Sequence, residues 1–238
     1  MLRLAIVSPK GGVGKSTIAY YLSKELSKRY RVILVDRDLT ATISSIFGIK
    51  IGILNYLTDN VQGSFVHEEG NLKVISMARY QPTEVPNMDN FYPIYKTLLD
   101  GADILITDNP PGGISELEIM EYKAYYKARG EVHSYFVAVS TPGLVLERTL
   151  NFLGESAKIL KHMVPELSFV KTIALVINMS KESLQGLSGI NVIAIPFYRD
   201  LLYKGFQNCD PPKEIHQLVK VIEPLVSEAQ GMSERNVS

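Results

Sequence analysis

The sequence predicts an α/β domain, a mainly parallel twisted sheet of about seven strands with helices on both faces. Two observations carry this. Strand-like and helix-like segments alternate along the whole chain, as in successive βα units rather than a meander. The first apolar run, Leu4-Ala5-Ile6-Val7, also passes through a glycine-rich turn straight into an amphipathic stretch.

That stretch, Thr17 to Tyr30, carries Ile18, Tyr21, Leu22 and Leu26 on one helical stripe. Arg31 to Val35 follows as a β-branched strand ending in Asp36-Arg37-Asp38, where Arg37 is expected to face solvent. Leu39 to Gln62 is mixed and broken by Gly48 and Gly52, so short helices are expected. Leu72-Lys73-Val74-Ile75 is a further strand. Residues 79–90, with Pro82, Pro86 and two asparagines, form a surface loop. A helix from about Phe91 to Leu99 leads into the strand Ile104-Leu105-Ile106-Thr107-Asp108. Asn109-Pro110-Pro111-Gly112-Gly113 then forces a turn before a helix from Ser115 to about Arg129. Tyr135 to Val139 is a buried strand closed by Ser140-Thr141-Pro142-Gly143. A long helix from Leu144 to about His162 precedes the strand Thr172 to Ile177. Asn191 to Ile195, stopped by Pro196, is the last strand, and a helix from about Lys213 to Glu228 closes the domain. The domain is placed at residues 1–230, with 231–238 a disordered tail.

Lys10-Gly11-Gly12-Val13-Gly14-Lys15-Ser16-Thr17 sits between the first strand and the first helix. Strand, glycine-rich turn and helix N-terminus are what a phosphate-binding loop needs, since glycines let successive N–H groups converge on one anion. Lys15 would reach the β- and γ-phosphates and the Ser16 hydroxyl would ligate Mg²⁺. Carboxylates at neighbouring strand ends suit a metal-assisted site, because ligands of open α/β sheets bind at that edge. Asp36, Asp38 and Asp108 lie at such ends.

Composition sets bounds. Lys plus Arg and Asp plus Glu are both 25, so no overall field draws nucleic acid or membrane. The distribution is uneven: residues 1–50 hold nine basic and three acidic side chains, residues 51–150 seven and thirteen. A triphosphate accounts for part of the first excess. The one cysteine, Cys209, excludes a disulfide framework or a Cys-x-x-Cys site within one chain. No apolar run reaches the about 18 residues of a membrane span, and the N-terminus enters a strand without a signal peptide, so a cytoplasmic protein is expected. His67, His133, His162 and His216 are dispersed without metal-ligand spacing. Tyr20, Tyr21, Tyr122, Tyr125 and Tyr126 fall at helical spacing and are assigned to packing and amphipathic surface.

Lys10 is not demanded by the general phosphate-loop motif. With it, the loop resembles the deviant Walker A of the ParA/MinD family of P-loop ATPases, and of these most the ParA/Soj-type partition ATPases. The resemblance runs through Asp36-Arg37-Asp38 as switch I, Asp108-Asn109-Pro110-Pro111-Gly112 as Walker B, the strand-end Asn178 and the loop at Pro196, in family order. It implies a homodimer formed on ATP binding, with Lys10 crossing to the partner's nucleotide. It implies Asp38 as the residue orienting the attacking water, Asp36 in the metal's outer shell, and Asp108 holding Mg²⁺ through water. The loop Pro110-Pro111-Gly112-Gly113 would sense the γ-phosphate. Gly11 to Thr17 would hold phosphates, and Asn178, Pro196 and Phe197 would contact adenine. Departures are Leu39-Thr40-Ala41-Thr42 after switch I, Thr107 and Asn109 around Asp108, and Asp200, displaced from the usual acidic position; hydrolysis is expected to be slow.

The resemblance implies an ATP-driven switch hydrolysing ATP to ADP and phosphate in chromosome or plasmid partitioning. Its partners would be non-specific DNA, through which it would associate with the nucleoid, and a small DNA-binding protein. The alternatives are a MinD-like positioner of another cargo or membrane assembly, and a nucleotide-binding module with little hydrolysis. A basic amphipathic C-terminal anchor is wanting, because the stretch Leu218 to Gln230 contains Pro224, Glu223 and Glu228. An iron–sulfur carrier needs two thiolates per chain. A tyrosine kinase of this type needs C-terminal tyrosines, and none follows Tyr203. Kinases of the dethiobiotin synthetase type usually lack the lysine at position 10.

Overall fold

A computed structural model describes residues 1–112, 114–182 and 189–235. The strands are β1 (Leu2–Val7), β2 (Val32–Asp36), β3 (Val66–Glu69), β4 (Leu72–Ser76), β5 (Ile104–Asp108), β6 (Val132–Ser140), β7 (Leu167–Asn178) and β8 (Asn191–Ile195). They form one sheet in the order β3-β4-β2-β5-β1-β6-β7-β8. Neighbouring strands are parallel except β3, which runs antiparallel to β4 at the edge. The helices are α1 (Lys15–Leu26), α2 (Thr42–Ile46), α3 (Ile53–Thr58), α4 (Met88–Leu99), α5 (Glu116–Arg129), α6 (Leu144–Met163), α7 (Arg199–Lys204) and α8 (Ile215–Arg235).

Side chains alternate across a strand, so each central strand feeds two cores. Leu2, Leu4, Ile6, Val32, Leu34, Ile104 and Ile106 pack beneath α1 and α8. Ala5, Val7, Ile33, Val35 and Leu105 pack on the opposite face against α4 and α5. The alternation continues past the strand ends and sorts the polar residues. It sends Asp36 and Asp108 to the α1 face, and Arg3, Arg37, Thr107 and Asn109 to the α5 face.

Several bounds differ from the sequence expectation. β3 joins the sheet through a hairpin whose turn residue Gly70 has φ +58°. β7 begins at Leu167 rather than Thr172, and the stretch after Pro196 forms α7. The closing helix runs to Arg235, past the expected end near Glu228; residues 236–238 of the proposed tail lie outside the described residues, as does Gly113 of the turn after β5. Tyr122 is fully buried and Tyr125 nearly so, while Tyr126 is exposed, as packing and amphipathic surface require.

Candidate functional site

Parallel strands bring their C-terminal ends to one edge, and β1, where the chain turns from one half of the sheet to the other, delivers its following loop to that edge. Gly14 caps α1 at φ 99°, ψ 21°, and the Gly14 carbonyl accepts the first helical bond from Ile18 N at 3.0 Å. A Cβ on Gly14 would stand 2.4 Å from Asn178 Nδ2, so that position demands glycine on conformation and on space. Gly12 is also left-handed, at φ +75°. The loop's amides therefore curl toward one point at a helix N-terminus.

The loop opens onto a cavity of about 400 Å³ lined by Gly11, Gly12, Gly14 to Ile18, Asp38, Thr40, Thr42, Pro111, Asn178 and the segment beyond β8. At one end stand groups suited to phosphate and water. The other end is apolar, walled by Pro196, Phe197, Leu202, Phe206 and Pro212. Phe197 and Leu202 are largely exposed, as a platform for a planar ring requires. Tyr21 fixes that wall from beneath: its hydroxyl donates to the carbonyls of Phe206 at 2.6 Å and Cys209 at 3.2 Å.

Lys15 is buried and its Nζ donates to the Lys10 carbonyl at 3.4 Å. Burial lowers its pKa, with Asp108 and Asp38 opposing. Lys10 is exposed and does not line the cavity, whereas the Val13 side chain is buried in the core. Asn178 lies between the two ends. Its Nδ2 donates to the Val13 carbonyl at 2.8 Å and its Oδ1 accepts from Met179 N at 3.0 Å, so the amide braces the phosphate loop while it lines the cavity.

The three aspartates have different surroundings. Asp36 and Asp108 are register partners on adjacent strands and both are fully buried. Asp36 accepts from Ser44 N at 2.8 Å, Ser44 Oγ at 2.6 Å and Asp38 N at 3.3 Å. Asp38 faces the cavity and accepts from Thr40 N at 3.0 Å. Neither carboxylate oxygen of Asp108 has a well-formed hydrogen bond. Burial pushes the Asp108 pKa up to about 7, Asp36 adding to this while the nearby Ser16 hydroxyl and Lys15 pull it down.

A buried carboxylate without a well-formed hydrogen bond, beside a hydroxyl, is the donor pair Mg²⁺ takes when phosphates and waters complete its shell. Among the described residues no cluster of three or more acidic, histidine or cysteine side chains forms a cage, which suits a cation held mainly by its nucleotide. The residues fit the ion. Ser16 and Asp108 would hold it, with Asp36 behind them, and when bound it would neutralise charge developing on the phosphates.

Arg37 corrects the sequence expectation most sharply. It is 1 % exposed rather than solvent-facing. Its guanidinium donates to Asn109 Oδ1, to Thr107 Oγ1 at 3.1 Å and to Glu121 Oε2 at 2.9 Å, with Glu118 Oε1 at 3.5 Å. Arg3 joins from β1, bonding Glu121 and Ser134 and stacking 3.7 Å over the Tyr122 ring. Burial opposes ionisation of Glu121, but Arg3 and Arg37 hold its carboxyl below the usual range. Two guanidiniums and two carboxylates thus neutralise one another beneath α5; removing one partner of such a set costs about 3–5 kcal/mol. The signal was in the strand alternation, which turns the middle residue of Asp36-Arg37-Asp38 away from its neighbours, and in Glu118 and Glu121 spaced i,i+3 on one helix face.

A phosphate loop at the switch point of a parallel sheet, with buried carboxylates on adjacent strand ends and an apolar slot beyond, defines a P-loop nucleotide-binding protein. The CobQ/CobB/MinD/ParA nucleotide-binding domain model matches residues 4–205, and the chain belongs to that family. An iron–sulfur cluster carrier protein of Rickettsia conorii is 35 % identical over 136 residues, 50 % of this chain and 39 % of its own length. The matched stretch spans less than half the length of such curated relatives. Among solved structures, a Borrelia burgdorferi B31 protein described as a plasmid partition protein, bound to AMPPNP, superposes with TM-score 0.69 at 22 % identity, covering 95 % of this chain and 99 % of that one. The septum site-determining protein MinD of Pyrococcus horikoshii OT3, complexed with Mg-ADP, superposes with TM-score 0.63 at 19 % identity, covering 94 % and 95 %. The eight-stranded, mostly parallel sheet is the fold of these proteins, one strand more than the sequence suggested.

Proposed function

We propose that the chain is a Mg²⁺-dependent ATPase that dimerises on ATP, releases on hydrolysis, and works in DNA partitioning with a DNA-binding partner protein. The observation that carries this is the division of labour between two lysines of one loop. Lys15 is buried at the phosphate end of the cavity, while Lys10 stands exposed outside it. A cation presented away from its own cavity, on a loop built for phosphate, suits a second copy's nucleotide. The partition protein bound to AMPPNP and MinD with Mg-ADP support nucleotide and metal use in this fold.

Within one chain, Lys15 and the loop amides would grip the phosphates, Asp38 would orient water at the γ-phosphate, and the apolar slot with Pro196 and Phe197 would hold the base. The MinD-like alternative on a membrane is less favoured. The apolar stripe of α8, Ile215, Leu218, Ile222 and Val226, is already spent on the sheet. A cluster carried at a two-fold axis is also disfavoured, since one cysteine per chain supplies two of the four thiolates needed.

Asp38→Ala with ATP and Mg²⁺, followed by sedimentation velocity, tests the reading: a stable dimer is expected with ATP and a monomer with ADP. A chain that stays monomeric with ATP would reduce it to a plain nucleotide binder. Steady-state ATPase measured with and without DNA then separates a slow, stimulated enzyme from a module with little hydrolysis.

A further inference from the structure

Thr107 and Asn109, the two residues flanking Asp108, meet at the guanidinium of Arg37. Arg37 follows β2 between Asp36 and Asp38, and its backbone N–H donates to the Asp108 carbonyl at 3.0 Å. Its side chain points to the other face of the sheet, away from the nucleotide cavity. There Nε and one terminal nitrogen both donate to Asn109 Oδ1, and Asn109 Nδ2 donates to Glu118 Oε1 at 3.1 Å. Glu121 binds the other terminal nitrogen. One planar, rigid fork therefore touches the loop that carries Asp38, the loop that continues into Pro110-Pro111, and α5. The same segments, through Leu39, Pro110, Leu117 and Met120, wall an apolar cleft of about 470 Å³ at the surface, with Arg37 at its inner side.

We propose that Arg37 is a positioning residue that locks these two loops together, so that they answer a γ-phosphate as one body and pass the movement to α5. It does not line the phosphate-loop cavity. Its effect is indirect: both loops border the phosphate end of the cavity through Asp38 and Pro111, and a displacement of about 1 Å there is enough to misplace an attacking water. Asn109 is the joint. Its oxygen serves Arg37 and its amide nitrogen serves Glu118, so a change of position after Asp108 is felt on both sides at once. Arg37 also pairs with Glu121 and Glu118, and among the described contacts its Nε bonds only Asn109 Oδ1, so the same joint completes the hydrogen bonding of the buried guanidinium.

The proposal rests on the ATPase reading, and the experiment separates the two. Arg37→Lys, Asn109→Ala and the double variant are compared with the wild type for AMPPNP affinity, ADP affinity, kcat, KM and melting temperature. Coupling should appear as selective loss of the γ-phosphate preference. ADP affinity is expected to stay within about twofold, AMPPNP binding to weaken about five- to tenfold with KM for ATP rising in step, and kcat to fall about tenfold. The double variant should be no worse than the more impaired single one, since both cut one linkage. Variants that melt earlier but keep the wild-type AMPPNP:ADP ratio and kcat would overturn the proposal, as would effects that multiply in the double variant. Should Arg37→Lys fail to fold, Asn109→Ala decides alone, because it leaves both ion pairs of Arg37 in place. A wild-type chain that does not turn over ATP with Mg²⁺ would overturn the ATPase reading, whereas a wild type that hydrolyses ATP without preferring AMPPNP over ADP would overturn this proposal alone.

Discussion

Asp108 shows how a single buried residue can work against the fold that buries it. An ordinary aspartate titrates near 3.9. Buried against Asp36 without a well-formed hydrogen bond, Asp108 holds its proton up to about pH 7. Between those values the folded chain binds more protons than the unfolded one, so stability falls as pH rises from about 4 to about 7 and then levels. Three pH units correspond to about 4 kcal/mol. Burial pushes Asp36 in the same direction, against the bonds from Ser44. Asp108→Asn should therefore stabilise the nucleotide-free chain at pH 8 by about 2–4 kcal/mol and flatten the decline, as read by urea melts at pH 5 and pH 8. The same variant should lose Mg²⁺-dependent nucleotide binding. A variant that melts below the wild type at pH 8 would show that the ionised carboxylate already has a partner.

At the scale of elements, the phosphate loop and the strand end after β7 form one unit. Any side chain at Gly14 has to push aside the Asn178 amide that reaches across to the Val13 carbonyl. Gly14→Ala combines a left-handed backbone penalty of about 1–2 kcal/mol with a clash. In an Asn178→Ala background the clash disappears and the backbone term stays. Gly14→Ala should cost about 3 kcal/mol in the wild type and about 1–2 kcal/mol in that background, a non-additivity measurable by denaturant unfolding. Equal costs in both backgrounds would mean that the amide does not brace the loop.

Elements of this kind were legible in the sequence where the chain's own pattern decides them. The loop from Lys10 to Thr17, the strand end at Asp108 and the helix of Leu144 to His162 declare themselves by apolar periodicity and by glycines at fixed spacing. What stayed hidden depends on a neighbour. β3 has one apolar residue among Val66-His67-Glu68-Glu69 and is a strand because β4 pairs with it; its charges suit an exposed edge. Arg37 looked solvent-facing because a charge just after a strand usually is. Its burial requires Glu121, 84 positions away, and the sequence places them together only if the alternation is followed beyond the strand end. Asn178 was read for what its amide offers a base; its bond to Val13 spans 165 positions and has no local signature.

On the scale of the whole molecule, balanced charge leaves assembly to local arrangement. With 25 basic and 25 acidic side chains, two copies neither attract nor repel strongly at long range, so the proposed dimer would rest on local contacts. On the proposed function, Lys10 would supply one. It is exposed, its side chain is not spent on its own cavity, and its carbonyl is tied to Lys15 Nζ, so its position follows the state of the phosphate loop. Lys10→Ala should leave nucleotide affinity of the single chain within a few-fold, because the loop amides and Lys15 remain. It should abolish ATP-dependent association in the Asp38→Ala background, as measured by sedimentation. Lys15→Ala should instead remove nucleotide binding itself, and with it any dimer. The charge-preserving Lys10→Arg should restore part of the association if a cation is what the partner's phosphates require, although a guanidinium is a wider and flatter donor than an ammonium. Were Lys10→Ala to dimerise on ATP as the parent does, the exposed lysine would have no part in assembly, and the two-fold arrangement would have to be sought on another face.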